Sequence, residues 1–145
     1  MAKILCVEDR EDILGVLMDK LELAGHDVLG AKDIEDAEAK FNLRRPDIMI
    51  LDYNLIDATG KTSNTIEFLR KLGAARGDIP VLMLSATPLE VIKKENPDFD
   101  GFDLEFLSKK NKFEVDSKII VNKVRDMLRT TKATINDDVG GKEPQ

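Results

Sequence analysis

This sequence predicts a doubly wound α/β fold, a five-stranded parallel sheet in the order 2-1-3-4-5 with helices on both faces, and three observations support it. Apolar runs of strand length alternate with stretches of helical spacing five times along the chain. Two of those runs, Ile48-Met49-Ile50-Leu51 and Val81-Leu82-Met83-Leu84, are unbroken, the pattern of strands buried on both faces. The 145 residues suit one domain, enough chain to bury roughly 70% of its unfolded surface.

Residues 3 to 7 read as the first strand, and Ile13, Leu14, Leu17, Leu21 and Ala24 then form one helical stripe stopped by Gly25. A short second strand is expected near Asp27-Val28-Leu29. His26 precedes it; as the only histidine it cannot build a multi-histidine metal site, and a solvated loop position suits it. Ile34, Ala37 and Phe41 mark a second helix ended by Arg44-Arg45-Pro46. The third strand ends on Asp52, and Tyr53 to Gly60 reads as a loop. Thr62 or Ser63 can cap a third helix carrying Ile66, Leu69 and Leu72, closed by the stretch from Gly73 to Gly77. The fourth strand ends in Ser85.

Thr87-Pro88-Leu89-Glu90 combines capping-box spacing with proline at the first helical position, so a fourth helix should start at once. It must be short, because Asn96-Pro97 breaks it. Asp98 to Asp103 is a turn-rich connection before the fifth strand, Leu104-Glu105-Phe106-Leu107-Ser108, which runs into Lys109. A last helix over 113–130 carries Val115, Ile119, Ile120, Val124, Met127 and Leu128. Polar sequence follows, which gives a domain over 1–130 and a disordered polar C-terminal tail over 131–145.

The net charge of −6 argues against a protein built to hold a nucleic acid backbone. The single cysteine, Cys6, lies inside an apolar strand and reads as a buried, inert thiol. No apolar run approaches the ~18 residues that span a bilayer, and Glu8-Asp9 arrives too soon for a signal peptide. A cytoplasmic protein with no membrane partner is expected.

The chemistry gathers at strand ends. A carboxylate or serine after a strand is ordinarily a turn former or cap, and Lys109-Lys110 alone would be a solvated charge run. Here, however, four strands end respectively in Glu8-Asp9, Asp52, Ser85 and Lys109, and the order 2-1-3-4-5 puts these ends on one edge of the sheet. Clustered carboxylates repel unless a cation relieves them. Oxygen ligands without cysteine or a second histidine favour Mg2+, which takes one or two carboxylates and a phosphate oxygen. Lys109 can neutralise a phosphoryl group and Ser85 can donate to it, which leaves Asp52 as the candidate nucleophile for an aspartyl phosphate.

These pieces resemble the receiver domain of a two-component response regulator, of the single-domain chemotaxis type, over about residues 2–130. The resemblance rests on Ile4 to Asp9, Ile48 to Asp52, the spacing from Asp52 to Gly60, Leu84-Ser85-Ala86 and Phe106-Leu107-Ser108-Lys109. It implies the flavodoxin-like strand order, and phosphate accepted on Asp52 from a histidine kinase or histidine phosphotransfer protein. It also implies Mg2+ on Asp9, Asp52 and the backbone carbonyl of Asn54, with Glu8 acting through water. Ser85 and Phe106 become the switch pair, and a target protein reads the face of the fourth helix, fifth strand and fifth helix. Ile92, Lys93, Phe102 and Lys118 are expected on that face. Beyond Mg2+-dependent self-phosphorylation and slow self-dephosphorylation, no enzyme activity is implied.

The sequence also departs from the family. Lys110 stands where proline with a cis bond is usual, and a trans bond is expected, since a cis bond to a non-proline residue costs about 2.5–4 kcal/mol. Ile56 replaces a frequent proline, Lys61-Thr62-Ser63-Asn64 reads as a small insertion, and Asn96 to Gly101 replaces the usual approach to the fifth strand. A specialised output face follows as an expectation. Phe106 has no hydroxyl, so it can switch only by packing. The rival readings are a receiver fragment of a larger regulator or hybrid kinase and, from another class, a phosphatase with an aspartyl intermediate. The latter usually carries a second acid where this chain has Asn54.

Overall fold

The computed structural model describes residues 1–57, 59–110 and 116–140, with side chains described as far as residue 130. Five parallel strands form one sheet: β1 (Lys3–Val7), β2 (Asp27–Ala31), β3 (Ile48–Asp52), β6 (Val81–Ser85) and β7 (Glu105–Ser108). Their order is β2-β1-β3-β6-β7, which is the order 2-1-3-4-5 once the separate hairpin β4 (Asn54–Ile56) and β5 (Thr62–Asn64) is set aside. Register brings Val7 beside Leu51, Asp52 beside Leu84 and Ser85 beside Ser108. The C-terminal ends of β1, β3, β6 and β7 therefore finish level.

The helices are α1 (Glu11–Leu23), α2 (Ile34–Leu43), α3 (Ile66–Leu72), α4 (Leu89–Glu95) and α5 (Ser117–Gly140). Period-two alternation divides the core between the sheet's two faces. Ile4, Cys6, Ile48, Ile50, Leu82 and Leu84 pack against Leu14, Leu17 and Leu21 of α1 and Ile120 and Val124 of α5. Leu5, Val7, Met49, Leu51, Val81 and Met83 pack against Ala37 and Phe41 of α2, Ile66, Phe68 and Leu69 of α3 and Ile92 of α4.

Several boundaries differ from the sequence expectations. The loop after Asp52 is the β4–β5 hairpin, its turn closed by Asp57, whose Oδ1 accepts from the Thr59 and Lys61 N–H groups at 2.9 Å. This displaces the start of α3 past Thr62 and Ser63; Thr65 is the N-cap, and Asn64 Oδ1 accepts from the Ile66 N–H at 3.0 Å. The capping box at Thr87 does not form, because the Thr87 N–H donates to Ser85 Oγ at 2.8 Å and Pro88 becomes the N-cap. As expected, α4 is short and ends at Asn96. A 3-10 turn, Phe99–Phe102, leads into β7.

Ile119, expected in the apolar stripe of the last helix, is 50% exposed. Residues 111–115, with the expected helix start and Val115, lie outside the described residues, as do 141–145. The α5 backbone runs on to Gly140, past the boundary expected at 130. His26 is half-buried rather than solvated, its Nδ1 accepting from the Ala2 N–H at 3.3 Å. The described peptide bonds are all trans, Lys109–Lys110 included. Among the described residues no helix is long and apolar enough to cross a membrane.

Candidate functional site

Each chemically distinctive residue stands where a strand stops. Asp52 is the last residue of β3 and Ser85 the last of β6, while Glu8 follows β1 and Lys109 follows β7. Alternation then sorts them. Glu8 continues the row of Ile4 and Cys6, Asp52 that of Ile48 and Ile50, and Lys109 that of Leu107, so all three lean to the α1/α5 face. Tyr53, Ser85 and Phe106 fall in the rows that face α3 and α4.

On the first face the Lys109 ammonium lies 2.8 Å from Asp52 Oδ1 and 3.8 Å from Glu8 Oε1. All three side chains are almost fully buried, at 3 to 4% exposure. Asp9 is half-buried beside them, and Glu8, Asp9 and Asp52 each offer a carboxylate oxygen within 4.8 Å of the others. Burial, then the negative charge of Asp52, pushes the Glu8 carboxyl up to about 8; the Arg10 N–H, which donates to Glu8 Oε2 at 3.1 Å, and the Lys109 charge oppose that rise. Burial first, and the same two carboxylates next, push the Cys6 thiol far above its ordinary range, which makes it inert.

The hairpin adds a backbone edge. Its bracketing bonds, Thr65 N–H to the Tyr53 carbonyl and Asp57 N–H to the Lys61 carbonyl, both 2.9 Å, put residues 53, 55 and 57 in the hydrogen-bonded ladder positions. The backbone of Asn54 and Ile56 consequently faces the other edge. There the Ile56 N–H donates to Asp9 Oδ2 at 3.1 Å. Three carboxylates and a backbone edge, with no nitrogen or thiolate ligand, make a donor set suited to a hard divalent cation such as Mg2+.

On the second face Ser85 is 2% exposed, and Phe106 is half-buried against the α2/α3/α4 core. Of the set expected from the sequence, the structure brings Glu8, Asp9, Asp52 and Lys109 together and places Ser85 at the end of β6, where its Oγ accepts from the Thr87 N–H. Sequence reasoning missed the hairpin contact to Asp9, the bond from Asn54 Nδ2 to Thr87 Oγ1 at 3.2 Å, and the bonds that Tyr53 makes to α4. Of the residues expected on the output face, Lys93 and Lys118 are exposed and Phe102 is half-buried, but Ile92 is fully buried beneath α4 and belongs to the core.

Comparison with known proteins agrees with this geometry. The model of the response regulator receiver domain family matches residues 4–120. The alkaline phosphatase synthesis transcriptional regulatory protein PhoP of Bacillus subtilis is 37% identical over 91 residues, 63% of this chain and 36% of that protein. The DNA-binding dual master transcriptional regulator RpaA of Synechocystis is 34% identical over 131 residues, 90% of this chain and 51% of that protein. The chain thus spans from about a third to half of these relatives. Among solved structures, the chemotaxis protein CheY4 of Vibrio cholerae superposes with a TM-score of 0.69 at 24% identity, covering 87% of this chain and 98% of that one. With its family match running across all five parallel strands and the strand-end residues between them, this chain belongs to the response regulator receiver domain family of two-component signalling.

Proposed function

We propose that Asp52 accepts a phosphoryl group from a phosphohistidine donor, a histidine kinase or histidine phosphotransfer protein, and that the modified domain presents a changed protein-binding face. The supporting observation is the buried Lys109–Asp52–Glu8 cluster at the level end of the sheet, with Asp9 beside it. In the transfer an Asp52 carboxylate oxygen bonds to phosphorus as the P–N bond of the donor breaks, and the imidazole leaves with the electron pair and takes up a proton. Lys109 balances charge on the phosphoryl oxygens, and the Ser85 hydroxyl donates to one of them. Mg2+, held by Asp9, Asp52 and the Asn54 carbonyl with Glu8 acting through water, would supply the remaining neutralisation. The same residues account for Mg2+-dependent self-phosphorylation from a small donor and for slow self-dephosphorylation.

The readout face in this proposal is formed by α4, β7 and α5, with Lys93 and Lys118 as exposed members and Phe106 as a packing switch behind Ser85. The chain works either as a free receiver or as the receiver segment of a larger regulator. Incubation with Mg2+ and acetyl phosphate should add one phosphoryl group, detected by intact mass and absent in Asp52→Asn. A wild-type chain that takes up no phosphoryl group would overturn the proposal, and sustained turnover of a phosphoester would move it to the aspartyl-phosphate phosphatase class.

A further inference from the structure

Tyr53, the residue after Asp52, is fixed on every side. Its N–H donates to the Leu84 carbonyl and its carbonyl accepts from the Thr65 N–H, each at 2.9 Å, so its backbone is held between β6 and the start of α3. Its ring is 1% exposed. The hydroxyl donates to Glu95 Oε1 at 2.7 Å and accepts from Asn96 Nδ2 at 2.7 Å. Asn96, also 1% exposed, donates from the same nitrogen to the Ile92 carbonyl at 2.9 Å, and its Oδ1 accepts from Arg70 Nη2 at 3.0 Å. Arg70 in turn makes a two-pronged pair with Asp98, both bonds 2.9 Å.

The C-terminal end of α4 is thereby tied to the acceptor strand through one phenol and to α3 through one guanidinium. Its lead-in is tied to the same site, since Thr87 bonds Ser85 Oγ and Asn54. A seven-residue helix has little stability of its own. Its position is set by these bonds and by the buried Ile92.

We propose that Tyr53 is the positioning residue that couples α4 to Asp52, its hydroxyl holding the end of α4 while its backbone holds the strand end beside the acceptor carboxylate. The proposal rests on the reading of Asp52 as the phosphoacceptor. Coupling of this kind is reciprocal: a group added at Asp52 shifts α4, and a partner that holds α4 changes how readily Asp52 reacts.

The chain has one tyrosine and no tryptophan, so its intrinsic emission reports on residue 53 alone. Hydrogen bonding to a carboxylate quenches tyrosine emission. Labelling the full chain with Mg2+ and acetyl phosphate should change that emission in step with the mass adduct. Glu95→Gln should raise emission before labelling and shrink the change on labelling. In Tyr53→Phe, amide exchange at Asn96 and its neighbours should be about tenfold faster, the factor for losing one buried hydrogen bond. The response of residues 86–98 to labelling should be lost there, with α1 and α2 unaffected. A complete mass adduct with unchanged wild-type emission overturns the proposal. So does a Tyr53→Phe chain that exchanges faster yet responds to labelling as wild type does, since that is a structural role only. If Tyr53→Phe does not fold, the Glu95→Gln emission decides alone, and an unchanged labelling response overturns the proposal. A wild-type chain that gains no adduct at all instead overturns the phosphoacceptor reading, and the proposal with it.

Discussion

Replacing Glu8 by glutamine isolates the electrostatics of the strand-end cluster. Glu8 is 2% exposed, and its carboxyl is pushed from an ordinary 4.5 up to about 8, first by burial and then by Asp52. Between those two values the folded chain holds a proton that the unfolded chain has released. Stability therefore falls as pH rises through this window, by about 1.4 kcal/mol per pH unit for one proton. From about pH 5 to pH 7 the loss reaches about 2–3 kcal/mol, and it is complete above the folded value. Glutamine keeps the shape and never ionises, so Glu8→Gln should unfold in urea much like wild type near pH 5 without divalent cation. Near pH 7 it should be the more stable protein by about 2–3 kcal/mol. Saturating Mg2+ should close the gap by stabilising wild type more, because a cation favours the ionised carboxyl. Two stability curves separated by a constant from pH 5 to pH 8 would refute the reasoning, as would a variant less stable at pH 7.

Other expectations follow from single contacts. Absorbance titration of the only tyrosine should give a value near 12, raised first by burial and then by the bond to Glu95, and Glu95→Gln should bring it down. Because the folded value lies above the unfolded one, this group's contribution to stability is held below about pH 10 and lost as pH rises through about 12. Phe68→Ala should cost about 3–5 kcal/mol in urea unfolding, since that ring is fully buried and meets Phe41 edge-to-face at 6.4 Å. Asp33→Ala should cost about 1 kcal/mol by removing the cap that accepts from the Asp36 N–H at 2.7 Å, and labelling of Asp52 should be unchanged.

What could be read from the residues in advance divides along physical lines. β3 and β6 were legible because four consecutive apolar residues bounded by turn formers leave few alternatives, and the charges that end such runs are conspicuous. The hairpin was not legible, because its strands are three residues long and only Leu55 is buried among them, too little for a period to show. At Thr87 the local signal was real but outcompeted: the N–H that a capping box would have used locally found Ser85 Oγ, and Pro88 took the cap position. Ile92 was misplaced because the phase of a seven-residue helix cannot be fixed from so few apolar positions. Tyr53, Arg70, Glu95, Asn96 and Asp98 carry no joint signature, since a network of partners scattered along the chain exists only after folding.

The two faces of β3 suggest how charge and motion are kept apart. Asp52 leans toward α1 and α5, where Lys109 and Glu8 compensate its charge; Tyr53, one residue on, leans toward α3 and α4, where there is packing and one hydroxyl network. A change of charge at Asp52 therefore acts on buried ions of one face, and reaches the other through the strand end itself and through Ser85, whose Oγ accepts from the Thr87 N–H at the start of α4. Phe106, which shares the second face, has no hydroxyl and so no directional bond to make or break. The aromatic hydroxyl on that face sits at residue 53, covalently next to the carboxylate whose state would have to be reported. The polar link beside Asp52 leaves a path of one residue from that carboxylate to α4, so under the proposed phosphorylation the end of α4, rather than β7, is the first element expected to respond.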